Sequence, residues 1–131
     1  MVSSGKRTVV PEAAVVLVDQ TLVVAAREEV ARRLADLALW RSWWPDLQLT
    51  VTRDRGVDGI IWSVAGALSG TAEIWLEPWH DGVIVHWILR ASPRRSAEPD
   101  RLRRAYATSF KRRITELKDE LERRRPPGTP R

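Results

Sequence analysis

The chain contains no cysteine, which excludes a disulfide framework and any thiolate metal site. Histidine is almost as scarce. His80 and His86 are the only two, too few for a metal centre unless carboxylates join them. Neither a metal nor a cofactor is therefore expected. No apolar run reaches the roughly 20 residues of a membrane span. The longest, "AAVVLVDQTLVVAA" (13–26), is broken by Asp19 and Gln20 and reads as a strand rather than a signal peptide. The expected location is the cytoplasm. Nucleophile elbow, phosphate loop, metal-ligand spacing and internal repeats are all missing.

What remains is ordinary in amount and uneven in distribution. At 131 residues one domain is the default. Apolar residues at 44% and charged residues at 30% suit a globular chain. Net charge is +5, and thirteen of the 22 basic residues lie in 94–131 beside only six acids. A solvated helix face with a frayed terminus accounts for them. Nucleic acid is not the expected partner, because no aromatic stacking platform interleaves "PRRSAEPDRLRR" or "KRR" (111–113).

Residues 1–12 read as a flexible arm, 13–124 as one domain and 125–131 as a flexible tail. Within the domain, 14–25 is a strand. "AAREEVARRLADLALW" (25–40) is a helix with Val30, Leu34, Leu37 and Trp40 on one stripe, ended by Pro45. Strands follow at 47–53, 59–65, 70–79 and 82–91, joined by "DRGVD", "GALSG" and "HDG". A final helix over 100–124 takes Asp100 as N-cap and carries Leu102, Tyr106, Phe110, Ile114, Leu117 and Leu121 as a stripe. The fold class is α+β: a curved antiparallel sheet of about five strands on a long C-terminal helix.

A two-residue turn at Asp81-Gly82 sets the expected register of the last hairpin. One face then pairs Glu73 with Arg90, Trp75 with Ile88, Glu77 with His86 and Trp79 with Ile84. The other face is apolar and should meet the long helix. The charged face is expected to be the outer one. Trp75 and Trp79 would leave it a large apolar patch, covered by a second copy in a homodimer or by another part of the chain.

Seven tryptophans dominate the aromatic content, three of them in "LWRSWWPDL" (39–47). Each offers roughly 150–250 Å² of surface for burial. Trp40 continues the helical stripe and is expected in the core. Of Trp43 and Trp44, one should pack inward and the other face a cavity mouth or a partner. Trp62 and Trp87, with Leu89, Tyr106 and Phe110, should border the space between sheet and last helix, either filling it or walling a cavity.

Three stretches, "LADLALWRSWWPDL" (34–47), "GTAEIWLEPWHDGVIVHWILRA" (70–91) and "FKRRITELKDELE" (110–122), resemble the START-like (SRPBCC, helix-grip) superfamily. More narrowly they resemble its bacterial polyketide cyclase/dehydrase and lipid transport group. The resemblance implies a sheet gripping the last helix around a cavity for a lipid or polyketide-like molecule. It puts the tryptophan-rich segment beside the cavity mouth, so the candidate ligand-binding residues are Trp40, Trp43 and Trp44 together with Trp62, Trp87, Leu89, Tyr106 and Phe110, which border the same space. Four meander strands stand here where the superfamily usually has six, which leaves the cavity small, open or absent. A binding or carrier module is the leading reading. The alternative is a cyclase or dehydratase, needing a cavity acid or base. Its candidates are Glu73, Glu77, His86, Arg90 and Tyr106, Glu77 and His86 first among them, but none forms a diagnostic motif and no catalytic residue is assigned.

Overall fold

The alternating apolar residues of "VVLVDQTLV" form β1, Val15–Val23, in a computed structural model that describes residues 13–95 and 98–124. The expected arm at 1–12 and tail at 125–131 lie outside the described residues. After β1 come α1, Arg27–Leu34, and α2, Leu37–Trp43. Then follow β2, Leu47–Asp54, a 3-10 turn at Gly56–Asp58, β3, Gly59–Gly66, β4, Leu68–Trp79, and β5, Gly82–Pro93. The last element is α3, Pro99–Arg123. The five strands form one antiparallel sheet in the order β1-β5-β4-β3-β2. This is the helix-grip arrangement.

The expected single helix over 25–40 is two helices. Asp36 takes an extended conformation (φ −74°, ψ 111°) and its carboxylate accepts from the Ala38 N–H at 3.0 Å, capping α2. Aspartate competes with helical hydrogen bonding in this way, and it starts a new helix instead of continuing the old one. Leu37 is thereby turned outward and is 37% exposed, whereas Val30, Leu34 and Trp40 stay buried. The cap of α3 also differs from expectation. Glu98, not Asp100, is the N-cap, accepting from the backbone of Asp100 and Arg101 at 3.0 and 2.9 Å, with Pro99 opening the helix. The stripe from Tyr106 to Leu121 is buried as expected.

The last hairpin turns one step earlier than expected. Trp79 pairs with Gly82 and Trp75 with His86, so His80 and Asp81 make the turn. His80 carries it at φ 53°, a left-handed conformation that histidine enters more readily than most residues. Relative to the expected pairing the partner strand has slipped by two residues. An even slip keeps each side chain on its face, so the two-faced reading survives although the individual pairs do not. Glu73 bonds Arg55 at 2.7 Å instead of Arg90. The link "GALSG" is also shorter than it looks. β3 pairs with β2 as far as Gly66 and β4 pairs with β5 from Leu68, which leaves Ala67 alone between them.

The inner face presses on α3. One row across it reads Leu17, Leu89, Ala72, Trp62 and Val51. Polar ties close the border beside β1. Lys111 Nζ reaches Thr21 Oγ1 at 2.9 Å, Lys118 Nζ reaches the Leu22 carbonyl at 3.0 Å, and the Val24 N–H donates to Glu122 at 2.9 Å. Arg33 of α1 bonds Glu120 of α3 at 2.6 Å.

Candidate functional site

The residues expected around a ligand come together between sheet and α3, and they touch one another. Trp40 stacks on Trp87 (ring centroids 5.1 Å, planes 17° apart), and Trp87 stacks on Phe110 (4.9 Å, 8°). Trp43 meets Trp40 edge-on at 5.1 Å, and Trp62 does so at 5.0 Å. Trp44 lies 5.4 Å from Trp87 and 5.7 Å from Tyr106. Such pairs contribute about 0.5–1.5 kcal/mol each beyond the area they bury. All of these residues and Leu89 are buried. A void bordered by Ala31, Leu34, Ile60, Ile74 and Leu76 has a volume of about 10 Å³, roughly one water or less.

Two adjacent tryptophans both reach inward because the helix ends between them. Trp43 is the last residue of α2, on the same side as Trp40. Trp44 leaves helical geometry (φ −135°, ψ 82°), as the following proline requires. That bend swings its indole into the cluster, where Nε1 donates to Ser109 Oγ at 3.2 Å. The expectation that one of the pair faces outward does not hold. Trp40 Nε1 donates to the Leu34 carbonyl at 2.8 Å. Trp87 Nε1 is buried with no hydrogen-bond partner among the described residues.

Tyr106 donates to Asp46 at 2.8 Å. Burial pushes its phenol well above the usual range, and the hydrogen bond to Asp46 adds to the shift. It stays protonated throughout the neutral range, as a donor and not a base.

Glu77 and His86 lie on the opposite, outer face, joined at 2.8 Å. They are diagonal neighbours rather than an opposite pair, because His86 faces Trp75. Trp75 stacks on the imidazole at 4.2 Å and 21°. The thickness of the sheet separates this pair from the indoles, so it has no access to anything held between sheet and α3. Around it Trp75 and Trp79 are 42% and 47% exposed, and Val18 and Leu22 extend the apolar surface onto β1.

The roomy concavity opens elsewhere. A groove of about 730 Å³ runs between α2 and the edge strand β2. Trp40 and Trp62 border it from the core side. Leu37, Arg41 and Pro45 come from the helix side, and Leu47, Leu49 and Val51 from the strand. Gln48 and Thr50 alternate with the last three along β2. Val51 is half exposed. Sequence reasoning named Trp40 and Trp62 but missed the others. The available signal was "LQLTV": a strand with apolar residues at alternate positions that becomes an edge, so no further strand covers them. Among the described residues no cluster of three or more histidines and carboxylates is placed to ligate a metal.

No protein-family model and no curated protein matches the sequence. The fold does match solved structures. The solution structure of the Aha1 dimer from Colwellia psychrerythraea aligns at 17% identity with TM-score 0.62, covering 82% of this chain and 96% of that one. DR_A0006 from Deinococcus radiodurans aligns at 14% identity with TM-score 0.63 and the same coverage, 82% and 96%. At such identities the likeness is one of fold, and the helix-grip fold is what this chain shares with both.

Proposed function

We propose that the protein is a cytoplasmic binding or carrier module for a hydrophobic small molecule, held in the groove between α2 and β2. One observation carries this reading: an apolar concavity of about 730 Å³ bordered by two indoles, within the size range of small-ligand sites. The resemblance implies a ligand gripped between sheet and last helix. The packed rings occupy that space, so the site moves outward to where Trp40 and Trp62 meet the edge strand. Trp43, Trp44, Trp87, Leu89, Tyr106 and Phe110 then act behind the site, holding those two rings in place. A lipid or polyketide-like ligand of the polyketide cyclase/dehydrase and lipid transport group suits such walls. Cyclase or dehydratase chemistry has less support, since no carboxylate, imidazole or phenol lines the groove among the described residues.

Native mass spectrometry after incubation with lipid and polyketide extracts tests this. The full chain should retain a small apolar molecule. Val51→Glu, at a half-exposed position where a charge is tolerated, should lower retention at least about tenfold without unfolding the protein. Bare polypeptide from every extract counts against the proposal.

The exposed Trp75/Trp79 face favours a second reading of assembly: a homodimer formed through the outer side of the sheet. The Colwellia relative in fold was solved as a dimer. Light scattering should give twice the chain mass for wild type and the single mass for Trp75→Asp/Trp79→Asp. A monomeric wild type at tens of micromolar removes this interface.

A further inference from the structure

We propose that the groove takes an apolar molecule bearing a single negative charge, a carboxylate or similar oxyanion, whose charge is received by Arg41. This rests on the groove reading above and adds the chemical class of the ligand. Among the described residues the groove is bordered by apolar and neutral side chains, with Arg41 the one formal charge and no acid in the lining. Arg41 is exposed in the last turn of α2 and has no hydrogen-bond or ion-pair partner among the described residues. The two nearest acids in sequence are engaged elsewhere: Asp36 accepts from the Ala38 N–H at the N-terminus of the same helix, and Asp46 accepts from the Tyr106 hydroxyl.

A guanidinium offers five N–H donors in a planar fork that matches an oxyanion two bonds at a time. A neutral apolar ligand would leave that fork in water and gain nothing from it. A cationic one would be repelled. A monoanion with an apolar body uses both parts of the site, with its body on the Trp40 and Trp62 side and its head on Arg41. The net charge of +5 favours the approach of the same class of ligand. An alkyl acid and a ring-based acid share this chemistry.

Calorimetric titration of the full chain with decanoate, decanol, 2-naphthoate and 2-naphthylmethanol separates the possibilities. In wild type each acid should bind about tenfold tighter than its alcohol, a modest figure because the guanidinium is solvent-exposed. The preference should shrink as salt rises. Arg41→Gln should remove the acid's advantage over its alcohol without lowering the melting temperature. The size of the acid's advantage in each pair tells whether the body is a chain or a ring. Equal binding of acid and alcohol to wild type overturns the inference and leaves the groove reading standing. An acid preference that survives in Arg41→Gln also overturns it. If none of the four probes binds, the groove reading fails and this inference falls with it.

Discussion

Trp87→Ala should lower stability by about 3–5 kcal/mol, the range for deleting a large aromatic ring from a core. Trp87 has no exposed surface, and its ring lies between those of Trp40 and Phe110, with Trp44 and Trp62 against it. Those neighbours come from α2 and its C-terminal end, from β3 and from α3, so collapse around the deletion would require all three elements to move together. The cavity should therefore persist. In a chain of this length the melting temperature should fall by about 10 °C or more. Trp87→Phe separates two contributions. The indole N–H has no partner among the described residues, and burying it unpaired costs about 1–3 kcal/mol. Phenylalanine removes that group and keeps a ring between Trp40 and Phe110. Its cost should be less than half that of alanine. A melting temperature like wild type for Trp87→Ala would show that the indole is not packed there. Equal losses for the two variants would show that its N–H is not a liability.

Gly59→Ala should be comparably damaging for an unrelated reason. Gly59 opens β3 opposite Trp75, at φ 136°, where a residue with a Cβ is strained. A Cβ built there would sit 2.0 Å from the Ile74 carbonyl oxygen and 3.1 Å from the Trp75 Cα. The obstacle is the backbone of the neighbouring strand, which cannot rotate aside as a side chain would. Strain and overpacking together should cost about 3–5 kcal/mol. Gly56→Ala is the control. Gly56 also has positive φ (61°), but nothing among the described residues lies within 4 Å of its built Cβ. Its cost should stay near 1 kcal/mol, that of the left-handed backbone alone. Denaturant midpoints of the two variants decide the matter. Similar values would mean that β3 and β4 do not approach as closely as the structure has them.

Much of the fold was legible because periodicity reports which side of an element is apolar. The stripe from Tyr106 to Leu121 and the two faces of the β4–β5 hairpin follow from spacing alone. Pairing is harder to read. Asp81-Gly82 is the stronger turn signal, yet the chain turns at His80-Asp81, with histidine taking the left-handed conformation. The break before α2 carried a signal too, since aspartate is a preferred cap, but the continuing stripe through Leu37 concealed it. The site was less legible. Spacing identifies aromatic residues that converge, and every named tryptophan of "LWRSWWPDL" does converge. Whether converging rings leave a gap depends on ring orientation. The adjacency of Trp43 and Trp44 suggested that they point apart, and the backbone bend at Trp44 cancels that. Residues such as Leu37, Arg41 and Val51 gain their meaning from β2 being the last strand, a property of strand order rather than of any local pattern.

That strand order also bears on how the protein is made. β1 pairs along its length with β5, Val15 opposite Ala91, and is tied to α3 through contacts 90 to 98 residues apart in sequence. A ribosome therefore releases the first strand long before either of its neighbours exists. Until the final helix emerges, the indoles of α2 have no lid and the nascent chain exposes its greasiest surface. Production of this protein should therefore depend on whatever shields an unfinished chain, and shortening it from the C-terminal end should remove the element that all the earlier ones await.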